Sequence, residues 1–198
     1  MKLNGIITAA GLSSRMGAGN FKPMMPLQGK TVIQCSVDSM IRAGVSEIVV
    51  VVGHRREEIE YALSGEKKVS CVWNEEYASS DMLCSIKKGL RVLEPCDAFY
   101  ILPGDMPMIR KETYLALKDK MQQTGAEMVF PLYQGKKKHP PLICSSMIAK
   151  ILEYDGLDGL RGLWRQCVKE HAEYIEITDE GCLIDIDTMT DYNRLSQL

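Results

Sequence analysis

A stretch rich in glycine and serine follows the first apolar run of the chain and contains two cations. It covers residues 9–22 and has the sequence AAGLSSRMGAGNFK. Its small residues allow backbone N–H groups to approach an anion closely, and its two serines add hydroxyl donors. Arg15 offers a planar pair of donors to phosphate oxygens, and Lys22 supplies a second positive charge. The composition therefore predicts a phosphate-binding loop, with a flexible loop of no function as the alternative.

Two common phosphate-binding patterns do not fit this loop. The Walker A pattern needs two glycines closer together than Gly11 and Gly17, with a lysine directly after the second. The dinucleotide-binding pattern G-x-G-x-x-G is also missing from the loop. Nucleotide hydrolysis of the P-loop type and hydride transfer therefore lose support. The sequence has no G-x-S-x-G elbow either, so nucleophilic catalysis by a serine is not indicated.

Aspartates at two later points of the chain can hold a metal ion. Asp105 follows a predicted strand and the turn residues Pro103 and Gly104, at the edge where open α/β sheets bind ligands. Carboxylate oxygens are ligands that Mg²⁺ prefers, while a turn or helix-cap role for Asp105 is the alternative. Asp185 and Asp187 lie in a predicted strand, where alternate side chains point to opposite faces. One of these two aspartates is therefore expected to reach the metal.

Strand-like and helix-like segments alternate through the first two-thirds of the chain. The predicted strands are residues 3–8, 48–52, 69–73, 98–102, 127–133 and 141–144. The predicted helices are residues 57–63, 81–92, 112–121 and 157–167, and a further helix between a Thr31 cap and Gly44. Residues 174–178 and 182–186 are predicted to form a hairpin, and a short helix ends the chain. This order predicts a Rossmann-like α/β fold, a mostly parallel sheet with helices on both faces, as one domain over residues 1–198.

Composition restricts the partners and the compartment. The net charge is −2, so no overall field attracts nucleic acid or an anionic membrane. The chain has seven cysteines, an odd number without a C-x-x-C pair, which argues against a disulfide framework and a zinc ribbon. No apolar run has the length of a membrane span, and the first residues lack the pattern of a signal peptide. We expect a cytoplasmic protein with reduced thiols that binds neither nucleic acid nor membranes.

The loop resembles the signature L-A-A-G-x-S-x-R-M-G…K of the MobA-like nucleotidyltransferases. Further matches follow in the family's order, at Asn74-Glu75-Glu76-Tyr77, Met82, Ser85, Gly89-Leu90, Leu102-Pro103-Gly104-Asp105-Met106-Pro107, His139-Pro140 and Asp185-Ile186-Asp187-Thr188. Together they span residues 6–192. The chain departs from the family pattern at Asp81 and Lys138, where glycine is usual.

The resemblance implies a fold of the nucleotide-diphospho-sugar transferase type and a Mg²⁺-dependent nucleotidyl transfer that releases pyrophosphate. It implies catalytic roles for Arg15, Lys22 and Asp105. The nucleotide-binding residues that it implies are Ala9, Ala10, Gly11, Leu12, Ser13, Ser14, Arg15, Met16, Gly17, Lys22, Asn74, Ser85, Pro103 and Gly104. The implied metal ligands are Asp105 and, of the two later aspartates, Asp185. His139 and Pro140 are implied on the acceptor side, where His139 contacts the acceptor's phosphate or pterin or simply packs.

Within the family, the loop is most similar to members that transfer CMP from CTP to the molybdopterin-bound molybdenum cofactor. The resemblance associates A-A-G with cytidylyl transfer and A-G-G with guanylyl transfer. The methyl group of Ala10 narrows the base pocket, which favours a pyrimidine. CTP, a molybdopterin-type acceptor and a molybdenum hydroxylase are therefore the candidate partners. Two alternatives stay open: transfer to a sugar phosphate or methylerythritol phosphate, and a non-catalytic nucleotide-binding partner of a molybdenum hydroxylase.

Overall fold

The computed structural model describes residues 1–17, 19–156 and 158–195, with the backbone alone at residues 168–171. Its strands are β1 Leu3–Ala9, β2 Pro26–Leu27, β3 Lys30–Thr31, β4 Glu47–Val52, β5 Val69–Trp73, β6 Ala98–Pro103, β7 Met128–Tyr133, β8 Lys136–Lys137, β9 Leu142–Cys144 and β10 Ala172–Glu176. Its helices are α1 Val32–Arg42, α2 Arg56–Leu63, α3 Met82–Leu90, α4 Lys111–Thr124, α5 Ile148–Glu153, α6 Gly159–His171 and α7 Met189–Leu195.

The main sheet has the strand order β10-β7-β9-β6-β1-β4-β5, and β8 pairs with β7. Pairing is parallel between β1 and its neighbours β4 and β6, between β4 and β5, and between β7 and β10. It is antiparallel where β9 lies between β6 and β7. The predicted α/β fold with a mostly parallel sheet is therefore confirmed.

Both faces of the sheet are covered by helices because its central strands are mostly apolar. In β4, Ile48, Val50 and Val52 belong to one buried cluster, while Val49 and Val51 belong to another. The first cluster includes apolar residues of α1, α2 and α4, and the second includes residues of α3, α5 and α6. A continuous β-branched run is typical of a strand that is buried on both faces.

Most of the predicted elements appear close to their predicted bounds. Thr31 caps α1 as expected: its hydroxyl accepts a hydrogen bond from the backbone N–H of Gln34, and the Gln34 side chain completes the capping box. Helix α6 begins at Gly159, and residue 157 of the predicted segment lies outside the described residues. The sequence did not predict α5 or the hairpin of β2 and β3, which are too short to have a clear period.

The predicted hairpin of residues 174–178 and 182–186 is wrong. Strand β10 pairs in parallel with β7, and a 3₁₀ helix occupies Glu180–Leu183. The chain turns here because the buried carboxylate of Asp179 accepts hydrogen bonds from the backbone N–H groups of Arg110 (2.8 Å) and Gly181 (2.9 Å). These bonds hold the segment against the start of α4 and direct it away from β10.

The C-terminal segment then returns to the edge of the sheet that carries the predicted site. The backbone N–H of Ile186 donates to the carbonyl of Asp105 at 3.1 Å. Ile186 is fully buried and belongs to a third apolar cluster with Met16, Leu27 and Leu195. The late part of the chain is therefore packed against the loop that follows β1. Among the described residues, no helix is long and apolar enough to cross a membrane.

Candidate active site

A cavity of about 300 Å³ lies where β1 and β6 end. Its wall contains most of the predicted nucleotide-binding residues, namely Ala9, Ala10, Gly11, Leu12, Ser13, Ser14, Arg15, Lys22, Ser85, Pro103 and Gly104, together with the predicted metal ligand Asp105. The wall also contains Asp187, one of the two aspartates from which a metal ligand was expected, and Tyr77 and Met82 of the matched motifs. Its remaining members, Thr8, Pro23, Ser80 and Asp81, were not among the predicted site residues. The carboxyl ends of parallel strands are the usual place for ligands in open α/β sheets.

The loop after β1 is anchored at both ends. Ser13 has a left-handed backbone (φ 55°), which turns the chain into the short 3₁₀ helix Ser14–Met16. Met16 is only 2% exposed and fastens the turn to the apolar cluster that contains Ile186. At the other end, the backbone N–H of Lys22 donates to the Ser13 hydroxyl at 3.2 Å. Between these anchors, Ser14 and Arg15 line the cavity.

The absence of a side chain at Gly104 brings the β6 loop close to β1. The Gly104 N–H donates to the carbonyl of Thr8 at 2.9 Å, and a Cβ atom at this position would lie 3.2 Å from both that oxygen and the Ala9 Cβ. The Ser36 hydroxyl of α1 donates to the Gly104 carbonyl at 3.1 Å. This contact fixes the turn that presents Asp105.

Four charged side chains meet at one end of the cavity. The ammonium group of Lys22 lies 3.0 Å from Asp105 and 2.8 Å from Asp187, and its side chain is only 10% exposed. The guanidinium of Arg15 also bonds to Asp187. Burial alone would lower the pKa of Lys22, but the attraction of the two carboxylates outweighs it and the pKa is raised. The hydrogen bond from Lys22 holds the pKa of Asp187 below its usual value.

Asp185 has a different position from Asp187. It is not among the residues that line the cavity, and residues 184–187 form no strand, so the predicted alternation of side chains does not apply there. The pKa of Asp185 is raised, first by partial desolvation and then by the charges of Asp187 and Asp105. Asp185 is therefore near the acidic pair without sharing its contacts to Lys22.

This charged end suits a triphosphate accompanied by a hard cation. Asp105 and Asp187 already bracket one positive group, the Lys22 ammonium. Among the described residues, no group of three or more histidine, cysteine or acidic side chains is arranged to hold a metal. A cation here would take its other ligands from phosphate and water, as Mg²⁺ commonly does beside one or two carboxylates.

A second part of the cavity wall, within residues 77–85, is neutral apart from Asp81. Tyr77, Ser80, Met82 and Ser85 form the rest of this part. Asp81 caps α3, and its carboxylate accepts from the backbone N–H of Cys84 at 2.9 Å. The sequence signal for Asp81 is an acidic residue directly before an apolar helix, which predicts an N-cap. That signal does not indicate that Asp81 also lines a cavity.

Five of the predicted site residues besides Asp185 are not in the cavity wall: Met16, Gly17, Asn74, His139 and Pro140. Asn74 is fully buried behind the wall. His139 is half-buried, and its Nδ1 atom has no hydrogen-bond partner among the described residues. Partial burial lowers the pKa of His139, while a hydrogen bond to the backbone of Ile101 and the charge of Asp105 oppose that shift.

Comparisons with known proteins find related sequences over most of the chain. The pattern of the MobA-like NTP transferase domain matches residues 5–173. The molybdenum cofactor cytidylyltransferase of Escherichia coli K12 is 28% identical over 188 residues, covering 94% of this chain and 92% of that protein.

Solved structures show the same fold over nearly the whole chain. A nucleotidyl transferase from Methanothermobacter thermautotroptrophicus has a TM-score of 0.83 and 24% identity, over 99% of this chain and 96% of that one. Rv0371c of Mycobacterium tuberculosis H37Rv, in complex with manganese, has a TM-score of 0.72 and 19% identity, over 100% and 99%. The predicted fold type is therefore confirmed.

Proposed function

The chain belongs to the MobA-like NTP transferase family, and we propose that it transfers CMP from CTP to the molybdopterin-bound molybdenum cofactor, releasing pyrophosphate. The observation that carries this proposal is the charged end of the cavity, where Lys22 joins Asp105 and Asp187 beside Arg15. The similarity to the Escherichia coli cytidylyltransferase over almost all of both chains supports the choice of substrates.

Nucleotidyl transfer asks the protein to align two anions and to neutralise charge. A phosphate oxygen of the acceptor attacks the α-phosphorus, and the bond to the pyrophosphate oxygen breaks. Arg15 and Lys22 bind the β- and γ-phosphates and stabilise the negative charge that develops on the leaving pyrophosphate. Backbone N–H groups of residues 10–14 contact the remaining phosphate oxygens. Because Lys22 is largely buried, its charge acts with little screening by water.

Mg²⁺ is the proposed cofactor, held by Asp105 and Asp187. When bound, it supplies positive charge to the phosphates at the reacting centre. The sequence pattern favoured Asp185 as the second ligand, whereas the contacts of Asp187 with Lys22 favour Asp187. Both carboxylates are already held near one cation, so exchanging the Lys22 ammonium for a metal ion leaves them paired.

His139 and Pro140 are proposed to lie on the acceptor side. The Nδ1 atom of His139 is buried without a partner among the described residues, so it is available to an acceptor group that enters beside it. We also propose that one domain covers residues 1–198, that the protein acts in the cytoplasm, and that a molybdenum hydroxylase receives the product. The seven free cysteines are compatible with a reducing compartment.

The test is a measurement of pyrophosphate release with Mg²⁺ and each of CTP, GTP and UTP. The acceptors are the molybdenum cofactor, 2-C-methylerythritol 4-phosphate and a hexose 1-phosphate. Release that requires both CTP and the molybdenum cofactor is expected. Release with a sugar phosphate or with methylerythritol phosphate would instead identify the alternative acceptor class. Tight CTP binding without release for any acceptor would favour the non-catalytic partner.

A further inference from the structure

Asn74 lies directly behind two serines of the cavity wall. Its side chain is fully buried. Its Nδ2 atom donates to the Ser80 hydroxyl oxygen at 3.0 Å and to the Ser85 hydroxyl oxygen at 3.1 Å. Its Oδ1 atom accepts from the backbone N–H of Glu76 at 3.2 Å. All the polar groups of this amide are therefore engaged with the protein.

The Glu76 contact fixes which way the amide points. A backbone N–H can only donate, so the oxygen of Asn74 must face Glu76 and the NH₂ group must face the serines. Each serine oxygen then accepts a hydrogen bond, and its own proton is left to donate elsewhere. Within the described parts of the chain, neither the Ser80 nor the Ser85 hydroxyl donates to a protein group. Both side chains line the cavity, so a bound ligand is the available acceptor.

The two serines belong to the same part of the cavity wall as Tyr77 and Met82, where Asp81 is the one charged lining residue among those described. Because Lys22 and Arg15 take the phosphates of a nucleotide, the base is left to contact the part of the wall within residues 77–85. A base has apolar faces and polar edges, which fit a wall of aromatic, thioether and hydroxyl groups.

We propose that Asn74 is a positioning residue that makes Ser80 and Ser85 hydrogen-bond donors and thereby selects cytosine over uracil. Cytosine presents acceptors at both O2 and N3, whereas N3 of uracil carries a proton and can only donate. Two hydroxyl donors match O2 and N3 of cytosine. With uracil only O2 accepts, and the second donor faces the N3–H group without a partner. This inference rests on the proposed use of CTP, and it gives that preference a source outside the loop of residues 9–22.

Substitution of Asn74 should reverse or remove the direction in which the Ser80 and Ser85 hydroxyls donate. In Asn74→Asp, one carboxylate oxygen keeps the bond from Glu76 and the other accepts from both hydroxyls, which turns the serine lone pairs toward the base. The ratio of CTP to UTP affinity is expected to fall by about tenfold or more, because a buried donor or acceptor without its match is strongly disfavoured. Asn74→Ala frees the hydroxyls to rotate and should bring the ratio toward one. Affinities are measured by calorimetry with Mg²⁺ present.

Asn4→Asp is the matched control. Asn4 is also fully buried, lies on β1, and donates to the Glu94 carbonyl away from the cavity. The substitution places a carboxylate in the core in the same way, so a general loss of stability would appear in both variants. A change in the CTP to UTP ratio is expected only at Asn74.

The results distinguish a failure of the proposed function from a failure of the role proposed for Asn74. A wild-type protein with no preference for CTP overturns the proposed function. A wild-type preference for CTP that a folded Asn74→Asp variant retains unchanged overturns only the role of Asn74. If that variant does not fold, Asn74→Ala and the triphosphate of 2-pyrimidinone riboside decide. This analogue keeps the O2 and N3 acceptors without the amino group, and it should bind the wild-type protein about tenfold more tightly than UTP. Binding as weak as that of UTP contradicts the inference.

Discussion

Lys22 donates a 2.8 Å hydrogen bond to Asp187, a residue 165 positions further along the sequence. The bond joins the loop after β1 to the C-terminal segment, and it stands where the phosphates and a cation are proposed to bind. Nucleotide and metal must therefore replace the contacts that the protein makes with itself. Lys22 and Arg15 exchange carboxylates for phosphate oxygens, while Asp105 and Asp187 exchange an ammonium group for a metal ion. Such an exchange keeps each of these charges paired throughout, including that of the largely buried Lys22.

Replacement of either cation should slow the reaction. We expect Lys22→Ala and Arg15→Ala to lower the turnover of pyrophosphate release by at least about tenfold, because each removes a positive charge that stabilises the leaving group. Lys30→Ala is the control, since Lys30 is ion-paired with Asp38 at 2.6 Å and is not in the cavity wall. Turnover near that of the wild type for either cavity variant would contradict the assignment of that residue.

The Lys22–Asp187 bond also predicts how stability depends on pH. The pKa of Asp187 is lowered in the folded protein, so its contribution is fully present above the unfolded value of about 4. That contribution is lost as pH falls through the folded pKa. Between neutral pH and a pH of about 2, the free energy of unfolding should therefore fall less in the Asp187→Asn variant than in the wild-type protein. Urea unfolding across that range measures the difference, and parallel curves for the two proteins would contradict the prediction.

The sequence predicted local features well because local physics determines them. The Thr31 cap of α1 and the apolar strand β4 follow from residues that are close together in the chain. The position of Asp187 depends instead on Asp179, which bonds to the backbone of Arg110 at a separation of 69 residues. Strand periodicity carries no information on such a contact, so it gave a hairpin for residues 174–186. The loop of residues 9–22 was recognisable as a candidate site because its residues are contiguous, and most of the residues predicted from it line the cavity. The pairing of its cations with Asp187 could not be predicted in this way.

The carboxylates should differ in their effect on metal binding. We expect Asp105→Asn and Asp187→Asn each to weaken Mn²⁺ binding by about tenfold or more, since each removes a charged oxygen ligand. Asp185→Asn is the matched control, because it alters the same segment two residues away and outside the cavity wall. Titration of Mn²⁺ followed by electron paramagnetic resonance, with and without CTP, measures the affinities. A larger loss of Mn²⁺ affinity for Asp185→Asn than for Asp187→Asn would indicate that Asp185 is the second metal ligand.

Asp179 should be important for stability. Its carboxylate accepts from the Arg110 and Gly181 backbone N–H groups and from the Thr113 hydroxyl at 2.7 Å, and it is only 5% exposed. Asp179→Ala leaves these donors without their partner and is expected to lower the free energy of unfolding by about 3 kcal/mol. Urea denaturation at neutral pH measures the change, with Asp38→Ala as a control in an exposed ion pair. A loss equal to that of the control would show that the buried bonds contribute little.

Ala10 should contribute to the choice between a pyrimidine and a purine. Ala10 lines the cavity, and its carbonyl oxygen is packed closely against Gly53. A Cβ atom added at Gly53 would lie 2.5 Å from that oxygen. The backbone therefore cannot retreat from a larger base, and the Ala10 methyl group narrows the pocket. We expect the wild-type protein to bind CTP more tightly than GTP with Mg²⁺ present, and Ala10→Gly to reduce that ratio by about tenfold, the usual effect of one methyl group. Ala43→Gly, after α1 and outside the cavity wall, controls for the added backbone freedom of glycine. Calorimetric titration gives both affinities, and an unchanged ratio in Ala10→Gly would exclude the methyl group as the source of the preference.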